Sequence, residues 1–199
     1  MAPVVVDPDR VHAFEDAGAF NAWLDRHHAQ EPEVWIRIFK VRSGYASVTW
    51  AEAVPVALAW GWIDGIRKSL DDASFLQRFT PRGPKSVWSE INVAHAERLI
   101  AEGAMHPPGL RQVEAARADG RWAKAYRVKG AEVPEDLMAA IQANSKALAM
   151  FGTLTANNRF ALIHRTESLK TEAGRKNRIA QFVDMLARGE TIYPQGRKT

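Results

Sequence analysis

The chain has 199 residues, 46% hydrophobic and 25% charged, with a net charge of +4, no cysteine and seven tryptophans. These proportions belong to a globular protein and exclude disordered, collagen-like and coiled-coil chains, while the missing cysteine excludes a disulfide framework, thiolate metal sites and a cysteine nucleophile. Charge is uneven, with 11 Lys/Arg against 13 Asp/Glu in residues 1–100 and 16 against 10 in residues 101–199, so a polyanion would meet the C-terminal half.

Met1 to Arg10 carries no basic leader, and no window approaches the roughly 18 apolar residues of a membrane helix, which predicts a cytoplasmic chain without a transmembrane segment. Phe20, Trp23, Leu24 and His27 fall on one helical face between Ala17 and Ala29, with Asp16 as the N-cap. Glu33 to Lys40 reads as a strand in which Val34, Ile36 and Ile38 alternate with Trp35, Arg37 and Phe39. Thr49 and Glu52 form a capping-box pattern that opens a helix through Trp60, ended by Gly61, and Pro55 inside it predicts a kink or a late start.

Trp62–Lys68 and Ser74–Thr80 are β-rich runs joined by the turn residues Ser69 to Ala73, and with Glu33–Lys40 they can form an antiparallel sheet of about three to five strands. After Pro81-Arg82-Gly83-Pro84 the pattern turns helical: Ser89–Glu102, Pro108–Asp119, Pro134–Ala143, a short Asn144-capped helix to Phe151, Thr155–Glu167 and Thr171–Arg188. The polar, basic run Lys124–Glu132 reads as a linker. The expected architecture is therefore α+β, with a small antiparallel sheet packed by helices in residues 1–130 and an all-helical C-terminal module in residues 131–199.

Several short runs share one resemblance. Ala57-Leu58-Ala59-Trp60-Gly61-Trp62-Ile63-Asp64-Gly65, Phe79-Thr80-Pro81-Arg82, Ser86-Val87-Trp88-Ser89 with Asn92, Gly103-Ala104-Met105 with Gly109, and Asp119-Gly120-Arg121-Trp122 resemble the YdeI/OmpD-associated (bacteriocin-protection) family of small bacterial proteins. Lys170-Thr171-Glu172, Arg175 and Arg178-Ile179 look like that family's terminal helical module, although Ala173-Gly174 departs from its pattern, as does Pro55. The resemblance implies an α+β fold and a role in envelope, stress or antimicrobial protection. It implies no reaction, cofactor or catalytic residue.

The sharpest candidate site is a ligand-binding cluster of Trp62, Asp64, Arg67, Arg82, Ser86, Trp88, Ser89 and Asn92. Period-2 alternation puts Trp62 and Asp64 on one strand face, and the turn after the second β run can bring Arg82 and a Ser-capped helix start beside them. Such a group suits a small anionic ligand, with Arg82 as a fork and Trp88 as a wall. The same residues can equally tie hairpin to helix, Asp64 pairing with Arg82 while the tryptophans fill the core. Trp23, Trp35 and Trp50 are assigned to core faces.

Other chemistry is weaker. Asp71 and Asp72 sit where a turn needs Asp, and His27 and His28 point to different helix faces, so no metal site and no cofactor are expected. The tail Gly196-Arg197-Lys198-Thr199 imitates the end of a P-loop without its first glycine. Two hints of nucleic-acid binding, the Trp35/Arg37/Phe39 face and the basic residues Arg159, Arg165, Lys170, Arg175, Lys176 and Arg178, are weakened by interspersed Glu167 and Glu172 and by the expectation that the Phe20–His27 helix covers the aromatic face. Three functions follow: a non-enzymatic small-ligand-binding or protection module, an enzyme of unknown reaction with Asp64 as acid or base, and a nucleic-acid or acidic-surface binder.

Overall fold

The computed structural model describes residues 4–127 and 130–195, so the start of the Met1–Arg10 run, two positions of the Lys124–Glu132 linker and the Gly196–Thr199 tail lie outside the described residues. The chain divides into two compact units, Met1–Ala125 and Tyr126–Thr199.

In the first unit a 3-10 turn at Pro8–Arg10 leads into β1 (Val11–His12), followed by α1 (Ala17–His27), β2 (Val34–Phe39), α2 (Trp50–Ala59), β3 (Trp62–Ser69), β4 (Ser74–Pro81), α3 (Glu90–Ala101) and α4 (Pro107–Ala118). The sheet order is β1-β2-β4-β3. β2, β4 and β3 pair antiparallel as expected, but β1 lies parallel to β2 through Val11↔Trp35 and His12↔Ile36, which makes the sheet mixed. A two-residue strand has no periodicity to read, and this one is set by the cap of the turn before it, where Asp7 accepts from Asp9 N–H.

Register fixes the two faces. Val34, Ile36 and Ile38 oppose Phe79, Gln77 and Phe75, and this face meets α1 and α2, whose Phe20, Trp23, Leu24, Val54, Ala57 and Leu58 are buried in the same core. The Phe20 and Phe79 rings lie 5.5 Å apart. Helix α1 thus covers the Val34 face and not the Trp35/Arg37/Phe39 face expected from sequence, because its stripe faces Phe79. Trp35 is nonetheless fully buried: its indole donates to Glu33, which also binds Arg78, and Lys68 lies over the ring while donating to the Val4 carbonyl. A buried Trp35 offers no ring to a nucleic-acid base. Asp71 performs the turn chemistry expected of it, accepting from Ala73 and Ser74 N–H and pairing with Arg37 at 2.8 Å.

The Thr49/Glu52 capping box forms in full, and α2 runs from Trp50 without the late start that Pro55 predicts. Its end is fixed by backbone approach. Gly61 has φ +75°, and a Cβ on Gly109, in the first turn of α4, would lie 2.3 Å from the Ala59 carbonyl oxygen. The His106 N–H donates to that same carbonyl at 3.0 Å.

The second unit comprises α5 (Glu135–Gln142), α6 (Ser145–Thr153), α7 (Ala156–Glu167) and α8 (Glu172–Ala187). Leu137, Ile141, Phe151, Leu162, Phe182 and Leu186 form its own core, so the apolar stripe of α8 is docked. Asn144, Thr155 and Thr171 cap the last three helices. Gly174 has a clear reason to be there: it donates to Thr171 Oγ1, and a Cβ would come within 2.8 Å of that oxygen.

Candidate functional site

Of the eight residues singled out from sequence, the structure gathers most into one structural knot and leaves one carboxylate at its edge. Trp62 on β3 is 1% exposed, donates to the His28 carbonyl at 3.3 Å and meets Trp23 edge-on. Arg82, just beyond β4, is 5% exposed. Its N–H donates to the Gly61 carbonyl, its guanidinium lies 3.7 Å over the Trp88 ring, and Nη1 donates to the Val87 carbonyl. Trp88 is 1% exposed and packs on Trp122 at 4.8 Å, with Arg117 over the far ring at 4.9 Å. Four side chains thus form an Arg82–Trp88–Trp122–Arg117 stack in which each cation faces a ring; the Arg82–Trp88 contact is buried, where such a contact is stronger, while Arg117 is exposed.

Both serines make local hydrogen bonds. Ser86 Oγ accepts from Gly83 N–H, and its carbonyl accepts from Arg121, itself paired with Asp119 at 2.7 Å. Ser89 is the N-cap of α3, accepting from the Asn92 N–H, with Asn92 half-buried in the first turn. The neighbouring runs Phe79–Arg82 and Ser86–Ser89 therefore meet the sequence-distant run Asp119–Trp122 at one place. Arg67 does not join them. A register shift between Asp64 and Arg67 returns Arg67 to the Trp62/Asp64 side, but there it is exposed and lies 3.6 Å over the Phe75 ring.

Asp64 is the exception. It is half-buried on β3 beside Phe79, and its Oδ2 accepts the indole N–H of Trp50 at 3.1 Å. Burial pushes its carboxyl above the usual aspartate range, opposed by the Trp50 hydrogen bond and the positive charge of Arg82. Trp50, the partner of Asp64, is not among the eight residues singled out from sequence. Assigned to the core from sequence, it is 49% exposed, because it stands at the first position of α2 where the helix face has not yet turned inward.

His27 and His28 do diverge. His27 and His12 flank Trp23, while His28 and His106 flank Trp60, whose indole donates to Asn21. Among the described residues no group of three or more His, Asp or Glu side chains gathers as a metal site would, and no helix is long and apolar enough to cross a membrane. Four of the C-terminal basic residues are individually engaged: Arg175 forks onto Asp136, Lys176 pairs with Glu172, Arg165 faces Tyr193 and Arg178 faces Phe182, while Lys170 is exposed.

Two family profiles match. Residues 12–112 match the one described as Domain of unknown function (DUF8412), and residues 130–189 match the one described as Bacteriocin-protection, YdeI or OmpD-Associated. The second match covers the helical module alone; the runs from Ala57 to Gly109 fall in the first. Neither a curated protein nor a solved structure gives a match.

Proposed function

We propose, for a chain that belongs to the DUF8412 family and carries the bacteriocin-protection, YdeI or OmpD-associated module in residues 130–189, that it is a non-catalytic, small-ligand-binding protein of bacterial stress or antimicrobial protection, working in the cytoplasm. The observation that supports this is Asp64, a half-buried carboxylate held by an exposed indole. Its neighbours Trp50 and Arg82 donate hydrogen bonds or charge, and neither accepts a proton, so the group is equipped for recognition and not for acid–base relay.

The ligand class follows from what remains open. An anion would need the Arg82 fork, which is committed to Trp88 and the Val87 carbonyl. A carboxylate beside an exposed indole suits a small cation, an ammonium or guanidinium that pairs with Asp64 and lies on Trp50. Trp62, Arg82, Ser86, Trp88, Ser89 and Asn92 then act as the rigid backing, with Arg67 outside the site.

Titration of the full chain with methylguanidine and with spermidine, read by tryptophan emission, tests this. A saturable change is expected, with affinity reduced about tenfold or more in Asp64→Asn and in Trp50→Leu, the loss of one charge-assisted or cation–π contact. Silence with both probes, or unchanged affinity in Asp64→Asn, overturns the reading.

A further inference from the structure

The second unit contains a cavity of about 360 Å³, lined by Ala131, Val133, Leu154, Arg159, Phe160 and Ile163. Its size lies at the lower end of small-molecule sites, and its walls come from three separate segments, the stretch before α5, the α6–α7 connection and the first half of α7. Several of the side chains on those walls are apolar and firmly set, although polar atoms supply slightly more than half of the lining surface. Leu154 and Ile163 are 4% and 3% exposed, and the Phe160 ring is fixed by stacking on Tyr126 at 4.8 Å and by His164 at 5.5 Å.

Arg159 is the charged residue among those that line the cavity. One side of its guanidinium is anchored, Nη2 donating to the Gly152 carbonyl at 3.1 Å and the group lying 5.0 Å over the Phe151 ring. Its Nε–H is buried and meets no acceptor among the described residues. A guanidinium keeps its charge at any accessible pH, so it cannot relieve a missing partner by deprotonating. Arg175 pairs with Asp136, Lys176 with Glu172 and Arg188 with Glu190, whereas Arg159, like Arg165 and Arg178, has no ion pair among the described residues. A buried charged donor without an acceptor costs free energy that a bound acceptor returns.

We infer that this cavity is a binding site for a small amphiphilic carboxylate, its anionic head on Arg159 and its apolar body against Val133, Leu154, Phe160 and Ile163. A carboxylate matches the chemistry better than a phosphate. One guanidinium balances a monoanion with a single charge, whereas a phosphate carries more than one charge near neutral pH. The head also lies at the first turns of α7, where the helix dipole favours negative charge. The site is independent of Asp64: it lies in the other unit and takes a ligand of the opposite charge.

Isotope-labelled full-length protein titrated with octanoate and, separately, with inorganic phosphate tests the assignment, read at the Arg159 Nε–H resonance and at the backbone amides of Leu154 and Ile163. Octanoate should move these resonances saturably, and phosphate should not. Arg159→Gln should weaken octanoate binding about tenfold or more, as loss of a charge-assisted hydrogen bond requires. Ala131→Phe, which fills the cavity from its half-exposed rim and leaves the charge in place, should abolish binding in a protein whose remaining amide spectrum is native. Absence of saturable shifts with octanoate, equal binding of phosphate, or a folded Ala131→Phe that binds octanoate as the wild type does overturns the inference.

Discussion

At Asp64 the demands of folding and of binding oppose each other, and pH separates them. Burial raises its pKa from the ordinary value of 3.8, so the folded chain holds the proton more tightly than the unfolded chain does. The stability this provides is present in full below that ordinary value and is lost as pH rises through the raised folded value, leaving an ionised carboxylate partly withdrawn from water at neutrality. Asn keeps an oxygen for the Trp50 indole without the charge. Asp64→Asn should therefore raise the melting temperature at pH 7 by about 1–3 °C, less than about 1 kcal/mol, and the gain should shrink toward zero as the pH falls below about 4. Melting curves of both proteins from pH 3 to 8 check this. A substitution that stabilises the fold yet removes cation binding marks a residue kept for recognition, whereas Arg82, buried against Trp88, has no such surplus.

At the scale of elements, two glycines in helices carry opposite expectations. Gly109 sits where α4 begins against the end of α2, and its Cβ would strike the carbonyls of Ala59 and Leu58, backbone atoms that cannot rotate away. Gly109→Ala should lose about 3 kcal/mol or more, a backbone clash at the upper end of overpacking costs, whereas Gly152→Ala in α6, with nothing near its Cβ, should gain about 0.5–1 kcal/mol from helix propensity. Denaturant midpoints of the two variants give the comparison. Much at this scale was legible in the sequence, because caps are local: Asp16, Thr49 with Glu52, Ser89, Asn144, Thr155 and Thr171 each satisfy an N–H two or three residues on, and the structure puts each at the helix start its spacing predicts. What was not legible depends on distant partners. β1 exists only because β2 lies beside it, and the bulge before Arg67 reverses the face that alternation would give it. Trp50 carries the same residue type as Trp23, and only its position at the end of α2 leaves it exposed. The Arg159 cavity needs three segments that no spacing rule joins.

On the scale of the whole molecule the tryptophans are distributed unequally. Trp23, Trp35, Trp50, Trp60, Trp62, Trp88 and Trp122 all lie in residues 1–125, where they serve core, knot and candidate site, while residues 126–199 have none and build their core from Leu, Ile and Phe. Tryptophan emission therefore reports the first unit alone, and far-UV circular dichroism reports both, with the four helices of the second adding to its amplitude. Each unit has its own hydrophobic cluster, so each has its own source of cooperativity. Leu162 is fully buried in the second cluster, and Leu162→Ala should cost about 2–5 kcal/mol, the transfer term plus the cavity it leaves. In urea the dichroism curve of this variant should acquire an early phase while the emission midpoint stays within error of the wild type. A shift of both probes together would mean that the two clusters unfold as one cooperative system, and the carboxylate and cation sites would then be linked through global stability as well as through their separate chemistry.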